Sequence, residues 1–214
     1  LQWLVNIGAF ARKSGDRDLA SQILDTIVNF TEENQIYRGT SWMEGIEVSI
    51  RTMSIVETIS QIKILLPDED ERIRRIGSWL AINANWIERH LSLRWRLNTN
   101  HLILELVGLT YLGHILSWHP RSRVWKKKGL SMLGRELDKQ TIDGRNWEPT
   151  TAYHRFVLES ILYLWKSLTG LRKRCTNWEM IEHLIAEQVD ALDWLSDQSG
   201  RIPLVGDDDA AYII

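Results

Sequence analysis

Four short polar segments interrupt the apolar pattern of this 214-residue chain, and each carries side chains that could do chemistry. In the first, Glu47 and Arg51 lie four residues apart, so a helix would place them on one face in the order that favours an ion pair. The two can form an ordinary surface ion pair, which the spacing alone favours. They can also line a cleft, as a carboxylate and a guanidinium beside Trp42.

The second segment carries an amide and an imidazole at the start of a long apolar run. Asn98, Asn100 and His101 come directly before residues 102–109. An asparagine before an apolar helix is first of all a candidate N-cap residue, and His101 can be a structural histidine. The same place is also suited to bind a carboxylate, because the dipole and the free N–H groups of a helix N-terminus favour anions.

The third segment combines a turn with a helix start. Asp143 and Gly144 predict a turn between two helical patterns, and Pro149 is expected in the first turn of the helix that follows. Tyr153 and His154 then lie about one turn into that helix. Because adjacent helical positions point about 100° apart, the two side chains cannot both face one partner squarely, and Tyr153 can simply begin an apolar stripe.

The fourth segment carries three consecutive acidic residues, Asp207, Asp208 and Asp209. Calcium loops space their ligands at alternate positions and use more of them, so a solvated or capping turn is the preferred interpretation and no metal site is predicted. The sequence contains no glycine-rich phosphate loop, zinc-binding cysteine pair, His-Glu-x-x-His motif or Gly-x-Ser-x-Gly elbow. Nucleotide hydrolysis, zinc proteolysis and serine hydrolysis are therefore disfavoured, and no cofactor is expected.

Helices must position these segments. Apolar residues recur every three or four positions in four long stripes, which is the period of amphipathic helices. The sequence predicts an all-α protein of one domain, 1–214, with about eight helices, near 3–14, 18–31, 42–65, 69–90, 100–118, 122–140, 149–169 and 178–196. Short loops predict antiparallel helical hairpins, arranged as a solenoid or an α/α toroid. No sequence repeat recurs, which disfavours a regular solenoid, and no convincing β-strand is predicted.

Composition narrows the class of protein. Lys and Arg number 26 against 28 Asp and Glu, for a net charge of -2, which disfavours a dedicated nucleic-acid binder. The 44% of hydrophobic residues excludes a disordered chain and the single cysteine excludes a disulfide scaffold. The uncharged stretch 106–120 is shorter than the roughly 20 apolar residues of a membrane span. Eleven tryptophans favour a large core over an aromatic sugar-binding surface.

In their order and spacing, the four segments resemble the helical N-terminal domain of the heparinase II/III-like polysaccharide lyases, a family that also includes alginate and oligoalginate lyases. The signatures are Trp42…Glu47…Arg51, Asn100-His101 followed by Leu-Val-Gly-Leu, Asp143-Gly144…Glu148…Tyr153-His154-Arg155, and Pro203…Gly206-Asp207-x-Asp209. The resemblance covers nearly the whole chain. The sequence departs from the family at Pro149-Thr150, where a small or amide residue before Ser or Thr is more usual, and this departure can alter how Glu148 is presented.

The resemblance implies an incomplete α/α toroid, normally followed by a β-sandwich domain that completes the cleft. The chain stops where that sandwich would begin, and it starts at Leu1 without a methionine, so it is expected to be a fragment of a longer protein. The family implies a periplasmic or secreted location, although a targeting segment could have been lost with the N-terminus. The expected partner is an acidic polysaccharide or oligosaccharide, without nucleic acid or a membrane span.

Members of this family cleave uronic-acid polysaccharides by β-elimination, which requires neutralising the uronate, removing the C5 proton and protonating the leaving oxygen. By resemblance, Asn100 binds the carboxylate, His101 helps to neutralise it or acts as base, and Tyr153 acts as acid and, where the stereochemistry permits, as base. Tyrosine has a reference pKa of about 10, so a cation such as His101, Arg51 or Arg155 must favour the phenolate. The other expected substrate contacts, direct or through neighbours, are Trp42, Glu47, Arg51, Trp147, Glu148, His154 and Arg155.

Asn100, His101, Glu148 and Tyr153 are expected to converge on one concave face. Each lies at or near a predicted helix start, and an α/α toroid gathers alternate helix ends at one mouth. The basic runs at 121–128 and 172–174 could attract a polyanionic chain, although such runs are more often solvated helix faces.

Two other functions stay open at this point. One is an α/α-toroid glycoside hydrolase with two carboxylates drawn from Glu47, Glu148 and Asp207. The other is a non-catalytic helical carbohydrate-binding or scaffold module that keeps the fold without the activity.

Overall fold

The structure, a computed structural model, describes residues 1–93, 99–168 and 178–208 of the chain. Three features singled out from the sequence lie outside these residues: Asn98, the basic run at 172–174, and Asp209. The described residues form eight α-helices and one hairpin, which are α1 (Trp3–Ser14), α2 (Arg17–Glu33), α3 (Gly45–Ile62), α4 (Glu71–Arg89), α5 (Asn100–Ile115), α6 (Ser122–Gln140), β1 (Thr141–Ile142), β2 (Arg145–Asn146), α7 (Thr151–Ser167) and α8 (Trp178–Leu195). Short 3-10 turns flank α3 at Thr40–Trp42 and Lys63–Leu65.

The predicted all-α class is confirmed, and capping residues set the bounds of several helices. Asp16 and Asp70 cap α2 and α4, because their side chains accept the backbone N–H groups of Leu19 and Arg72. Gly15 ends α1 with a φ of 71°, a left-handed conformation that glycine adopts without a steric cost. These three helices begin and end within two residues of the bounds predicted from the sequence.

The hairpin between α6 and α7 departs from the prediction, which placed only a turn there. The strands β1 and β2 pair antiparallel, with Ile142 opposite Arg145. Asp143 and Gly144 have φ values of 50° and 74°, and positive φ at both central residues is what a type I′ hairpin turn requires. Two-residue strands are too short to leave an alternating pattern in the sequence, so only the turn could be predicted.

The helices α3, α5 and α7 run parallel to one another. Gly45 lies against Glu105 and Ser49 against Gly108, so the contacts between α3 and α5 advance in the same direction along both helices. A Cβ at Gly108 would lie 2.6 Å from the Cβ of Ser49, so glycine is what allows the two backbones to approach closely. Between α5 and α7, a hydrogen bond joins Asn100 to Glu148 at the N-terminal ends, and another joins Tyr111 to Tyr163 farther along both helices.

The helices α6 and α8 return antiparallel to the helices that precede them, α5 and α7. Gly113 of α5 lies against Ser122 at the start of α6, and Thr110 lies against Gly129 farther along α6. In α7 and α8, the early residue His154 contacts the late residue Gln188, and the late residue Trp165 contacts the early residue Glu182, so these helices are also antiparallel. This alternation of parallel and returning helices is the arrangement of an α/α toroid, so the predicted helical hairpins are confirmed.

The helix α5 lies at the centre of the core. Apart from His101, its residues from Asn100 to Gly113 are buried, because α3, α4, α6 and α7 all pack against it. The core interpretation of the tryptophans is confirmed for five that are buried, which are Trp42, Trp79, Trp86, Trp125 and Trp178. Within the described ranges, no helix combines the length and the apolar character needed to cross a membrane.

Candidate functional site

The four polar segments meet in their sequence order where α3, α5 and α7 begin. The first contacts the second through Glu44, whose Oε2 lies 3.6 Å from Nδ1 of His101. The second contacts the third through hydrogen bonds between Asn100 and Glu148, and the third contacts the fourth at the start of α7. Three helix N-termini, the positive ends of their dipoles, therefore gather at one end of the fold.

Asn100 is the buried first residue of α5 and is held by Glu148. Its backbone N–H donates to Glu148 Oε1 at 2.7 Å, and its side-chain Nδ2 donates to Oε2 at 3.2 Å. The expectation that Asn100 caps the helix is wrong, because Thr99 occupies the N-cap position. A carboxylate from 48 residues along the chain takes the place of a local side-chain cap.

The start of α7 is set by Thr150 and not by Pro149. Thr150 is the N-cap residue, and its Oγ1 accepts the backbone N–H of Tyr153 at 2.9 Å. Pro149 therefore precedes the helix, contrary to its expected place in the first turn. The departure from the family pattern at Pro149-Thr150 does not prevent Glu148 from reaching Asn100.

His154 is a buried, hydrogen-bonded imidazole. Its Nδ1 accepts the backbone N–H of Asn146 at 3.0 Å, so its Nε2 carries the proton and donates to the carbonyl of Gln188 at 3.0 Å. Burial lowers the pKa of His154; the bond to Gln188 opposes this, and the charge of Arg145 adds to it. Because both ring nitrogens are occupied within the fold, the geometry favours a structural role over the expected sugar contact.

Tyr153 and His154 diverge as predicted. His154 is buried between the hairpin and α8, whereas Tyr153 is only partly buried. The structure brings Asn100, His101 and Glu148 together at the start of α5. The convergence of the Tyr153 side chain with them stays a prediction.

Glu105 is a buried acidic residue that the sequence analysis did not single out. It lies one turn after His101, is fully buried, and accepts the N–H and the hydroxyl of Ser92 at 2.7 and 2.6 Å. Burial raises its pKa, the bonds to Ser92 oppose this, and the charge of Glu44 adds to it. A glutamate within an otherwise apolar helix stretch was the available signal. Its hydrogen bonds hold Ser92 to α5, and its side chain lies against Gly45 at the start of α3.

Arg51 lies in an aromatic cluster and is not part of a surface ion pair. Its guanidinium carbon lies 5.5 to 5.7 Å from the ring centroids of Phe30, Trp42 and Trp79. It donates to the carbonyl of Ser41 at 2.7 Å and to the side chain of Asn83 at 3.2 Å.

This burial lowers the pKa of Arg51 to about 10, although the charge of Glu47 opposes the shift. The predicted close ion pair between Glu47 and Arg51 is not formed among the described residues. Trp42 is itself buried against Tyr37, Trp79 and Trp86. The geometry therefore favours packing over the expected sugar contact for Trp42 and Arg51.

A cavity of about 340 Å³ opens beside Glu148. The hairpin, the start of α7, the end of α8 and Val205 line it, and Trp147 and Arg145 contribute an aromatic ring and a cation. Arg155 borders a smaller neighbouring cavity of about 120 Å³ and lies 3.5 Å from Glu159. A larger cavity of about 650 Å³, between α3, α4 and the end of α5, contains none of the predicted site residues.

The fourth segment docks on the start of α7 through its backbone. Thr151 N–H donates to the carbonyl of Val205 at 3.1 Å, and its hydroxyl accepts from Val205 N–H at 3.0 Å and donates to the carbonyl of Pro203 at 2.8 Å. Asp207 and Asp208 are exposed. Within 1–93, 99–168 and 178–208, no three His, Cys, Asp or Glu side chains are grouped so that they could hold a metal ion.

The basic run at 121–128 contacts Glu88 of α4. Arg121 lies 2.6 Å from its carboxylate, and Lys128 donates to its backbone carbonyl at 3.1 Å. Two cations of this run are therefore engaged within the fold. Its attraction for a polyanion stays a prediction.

Residues 1–177 match the family profile described as Heparinase II/III N-terminus. No curated protein matches the chain.

Several solved structures share the fold, including the following three. Heparan sulfate lyase HepC from Pedobacter heparinus matches with a TM-score of 0.70 and 18% identity, over 96% of this chain and 32% of that one. The Heparinase III-BT4657 gene product matches at 0.69 and 16%, over 94% and 34%, and Heparinase III at 0.68 and 18%, over 89% and 30%. The chain thus spans about a third of the length of these structures, and at such identities the likeness concerns the fold.

Proposed function

The chain belongs to the Heparinase II/III N-terminus family, and from that premise we propose that it is the helical part of a polysaccharide lyase that cleaves a uronic-acid polysaccharide by β-elimination. The single observation that carries the proposal is the meeting of the four family segments at the start of three parallel helices, with the Asn100 amide fixed there by Glu148. The substrate would be an acidic polysaccharide, and the protein would act on it in the periplasm or outside the cell. The rest of the cleft would come from a β-sandwich domain.

In this proposal the start of α5 receives the substrate carboxylate. The Nδ2 group of Asn100 has two hydrogens, of which one is donated to Glu148, and the other can bind the uronate. His101 lies in the first turn of the same helix, half exposed and next to Glu44. A donor preorganised at a developing enolate, in a helix N-terminus, stabilises the charge that forms when the C5 proton leaves.

Tyr153 carries the proton in this proposal. Its backbone is fixed by the hydroxyl of Thr150, so the side chain leaves α7 at a defined position five residues after Glu148. As acid it protonates the leaving 4-oxygen. As base it needs a nearby cation, because tyrosine ordinarily titrates near pH 10.

The proposal is tested by offering the full-length protein a panel of uronate polymers and recording ultraviolet absorbance. Elimination leaves a conjugated uronate at the new end, which absorbs, whereas hydrolysis adds water and leaves no double bond. We expect absorbance to rise with at least one polymer. New reducing ends without absorbance would indicate a hydrolase, and binding without cleavage would indicate a non-catalytic module.

A further inference from the structure

We propose that Glu148 is a positioning residue for this reaction: its carboxylate fixes which edge of the Asn100 amide faces the cleft. The inference rests on the proposed function and gives Glu148 a task other than direct sugar contact. The hydrogen bonds around Asn100 and those that hold Glu148 itself support this role.

The contact determines the orientation of the amide. A carboxylate only accepts hydrogen bonds, so the amide atom turned towards Glu148 Oε2, at 3.2 Å, must be the nitrogen and not the oxygen. Glu148 Oε1 simultaneously accepts the backbone N–H of the same residue at 2.7 Å. Asn100 has only 5% of its surface exposed, and these two bonds hold its amide in one orientation. The direction of the second Nδ2 hydrogen is thereby fixed as well.

Glu148 is held in turn by its own backbone. Its N–H donates to Asn146 Oδ1 at 2.9 Å, and its carbonyl accepts the N–H of Thr150 at 2.8 Å. Asn146 is fixed by the imidazole of His154. Although Glu148 also borders the cavity of about 340 Å³, both its carboxylate oxygens are engaged by Asn100.

A glutamine at this position would retain the size and lose the orienting effect. Its side chain has one accepting oxygen and one donating nitrogen, so it cannot offer an acceptor at both of the positions where Oε1 and Oε2 of Glu148 accept from Asn100. Either one bond is lost or the amide turns over and presents its oxygen. In both cases the donor for the uronate is misplaced, and losing one preorganised donor typically lowers the rate roughly 10²–10³-fold.

The kinetic test is a double-mutant cycle in the full-length protein, with unsaturated product as the readout. We expect Glu148→Gln to lower kcat with little change in KM, and to have no further effect once Asn100 is replaced by Ala, because residues that act as a unit are not additive. Glu71→Gln, an exposed carboxylate paired with Arg74, is the matched control and should behave as the wild type. A rise in KM at unchanged kcat, or effects that multiply in the double variant, would overturn the proposal in favour of direct sugar contact.

A second readout does not depend on activity. In protein labelled with ¹⁵N at asparagine, the Asn100 side-chain amide protons, identified by their loss in Asn100→Ala, should shift in Glu148→Gln and not in Glu71→Gln. An unchanged Asn100 resonance in Glu148→Gln would contradict the positioning role. If no uronate polymer yields product, the proposed function fails, and the resonance still decides whether Glu148 orients the amide.

Discussion

In the proposed chemistry, the side-chain amide of Asn100 donates a hydrogen bond to the substrate carboxylate. Asn100→Ala should lower kcat roughly 10²–10³-fold, because a preorganised donor at the developing charge is lost. The backbone N–H bond to Glu148 survives the change and Thr99 remains the N-cap, so only about 1 kcal/mol of stability, the typical value of one hydrogen bond, should be lost. Initial rates of unsaturated product and thermal melts of the same samples measure the two effects. A rate within a few-fold of wild type would remove Asn100 from the mechanism.

His154 should make stability depend on pH. Its folded pKa lies below the ordinary value of 6.5, so as pH falls through that value the unfolded chain takes up a proton that the folded chain does not. The free energy of unfolding therefore falls with decreasing pH, until the folded imidazole also protonates. A protonated His154 can no longer accept the N–H of Asn146. Urea unfolding at a series of pH values from neutral to mildly acidic measures the slope.

Replacing His154 by Gln should flatten that slope. His114, whose pKa is lowered by burial and by Lys126, contributes the same sign in every variant and so cancels in the comparison. Equal slopes in the wild type and His154→Gln would show that His154 is not held neutral.

At the scale of elements, the close approach of α3 and α5 depends on glycine. Gly108→Ala should destabilise the fold by about 1–3 kcal/mol, because the new Cβ would lie 2.6 Å from the Cβ of Ser49 and 3.1 Å from its Cα. Gly77→Ala in α4 is the matched control: its nearest neighbour is Trp118 at 3.8 Å, so alanine should stabilise by up to about 1 kcal/mol through helix propensity. Denaturant midpoints with unchanged m-values report both. Two stabilising substitutions would show that the helices are not in tight contact.

The elements differ in how far the sequence could predict them. The helices followed from their apolar period and from caps such as Asp16 and Asp70, which act locally. The hairpin did not, because it is stabilised from outside: a Cβ on Gly144 would lie 2.6 Å from the carbonyl of Glu187 in α8, and the side chain of Gln188 in α8 donates to the hydroxyl of Thr141 at 3.0 Å. Contacts between distant segments leave no local signal.

In the candidate site too, local features could be predicted from the sequence and contacts between distant segments could not. Its four segments could be found by residue type and order, since three carry polar residues at a helix start and the fourth carries consecutive aspartates. The contacts that join them could not, because they depend on the packing of α3, α5 and α7. The cap of α5 comes from Glu148, and Arg51, expected to line a cleft or an exposed face, is instead enclosed by aromatic rings.

The extent of the cleft is also a property of the whole protein. This chain spans about a third of the length of the solved structures that share its fold. In our proposal, the end of the fold where α3, α5 and α7 begin therefore forms only one side of the substrate cleft. The one-domain organisation of 1–214 stays a prediction, as does the contribution of a second domain to substrate binding.

The measurement that tests the account most directly is the rate at which full-length Tyr153→Phe forms unsaturated product from a polymer that the wild type cleaves. The substitution removes only the hydroxyl, and the cap that sets Tyr153 in α7 is a backbone contact that it leaves intact. At matched folded concentration we predict a fall of about 10²–10⁴-fold, the usual contribution of general acid–base catalysis. A rate near that of the wild type would show that another residue carries the proton and would contradict the proposed site.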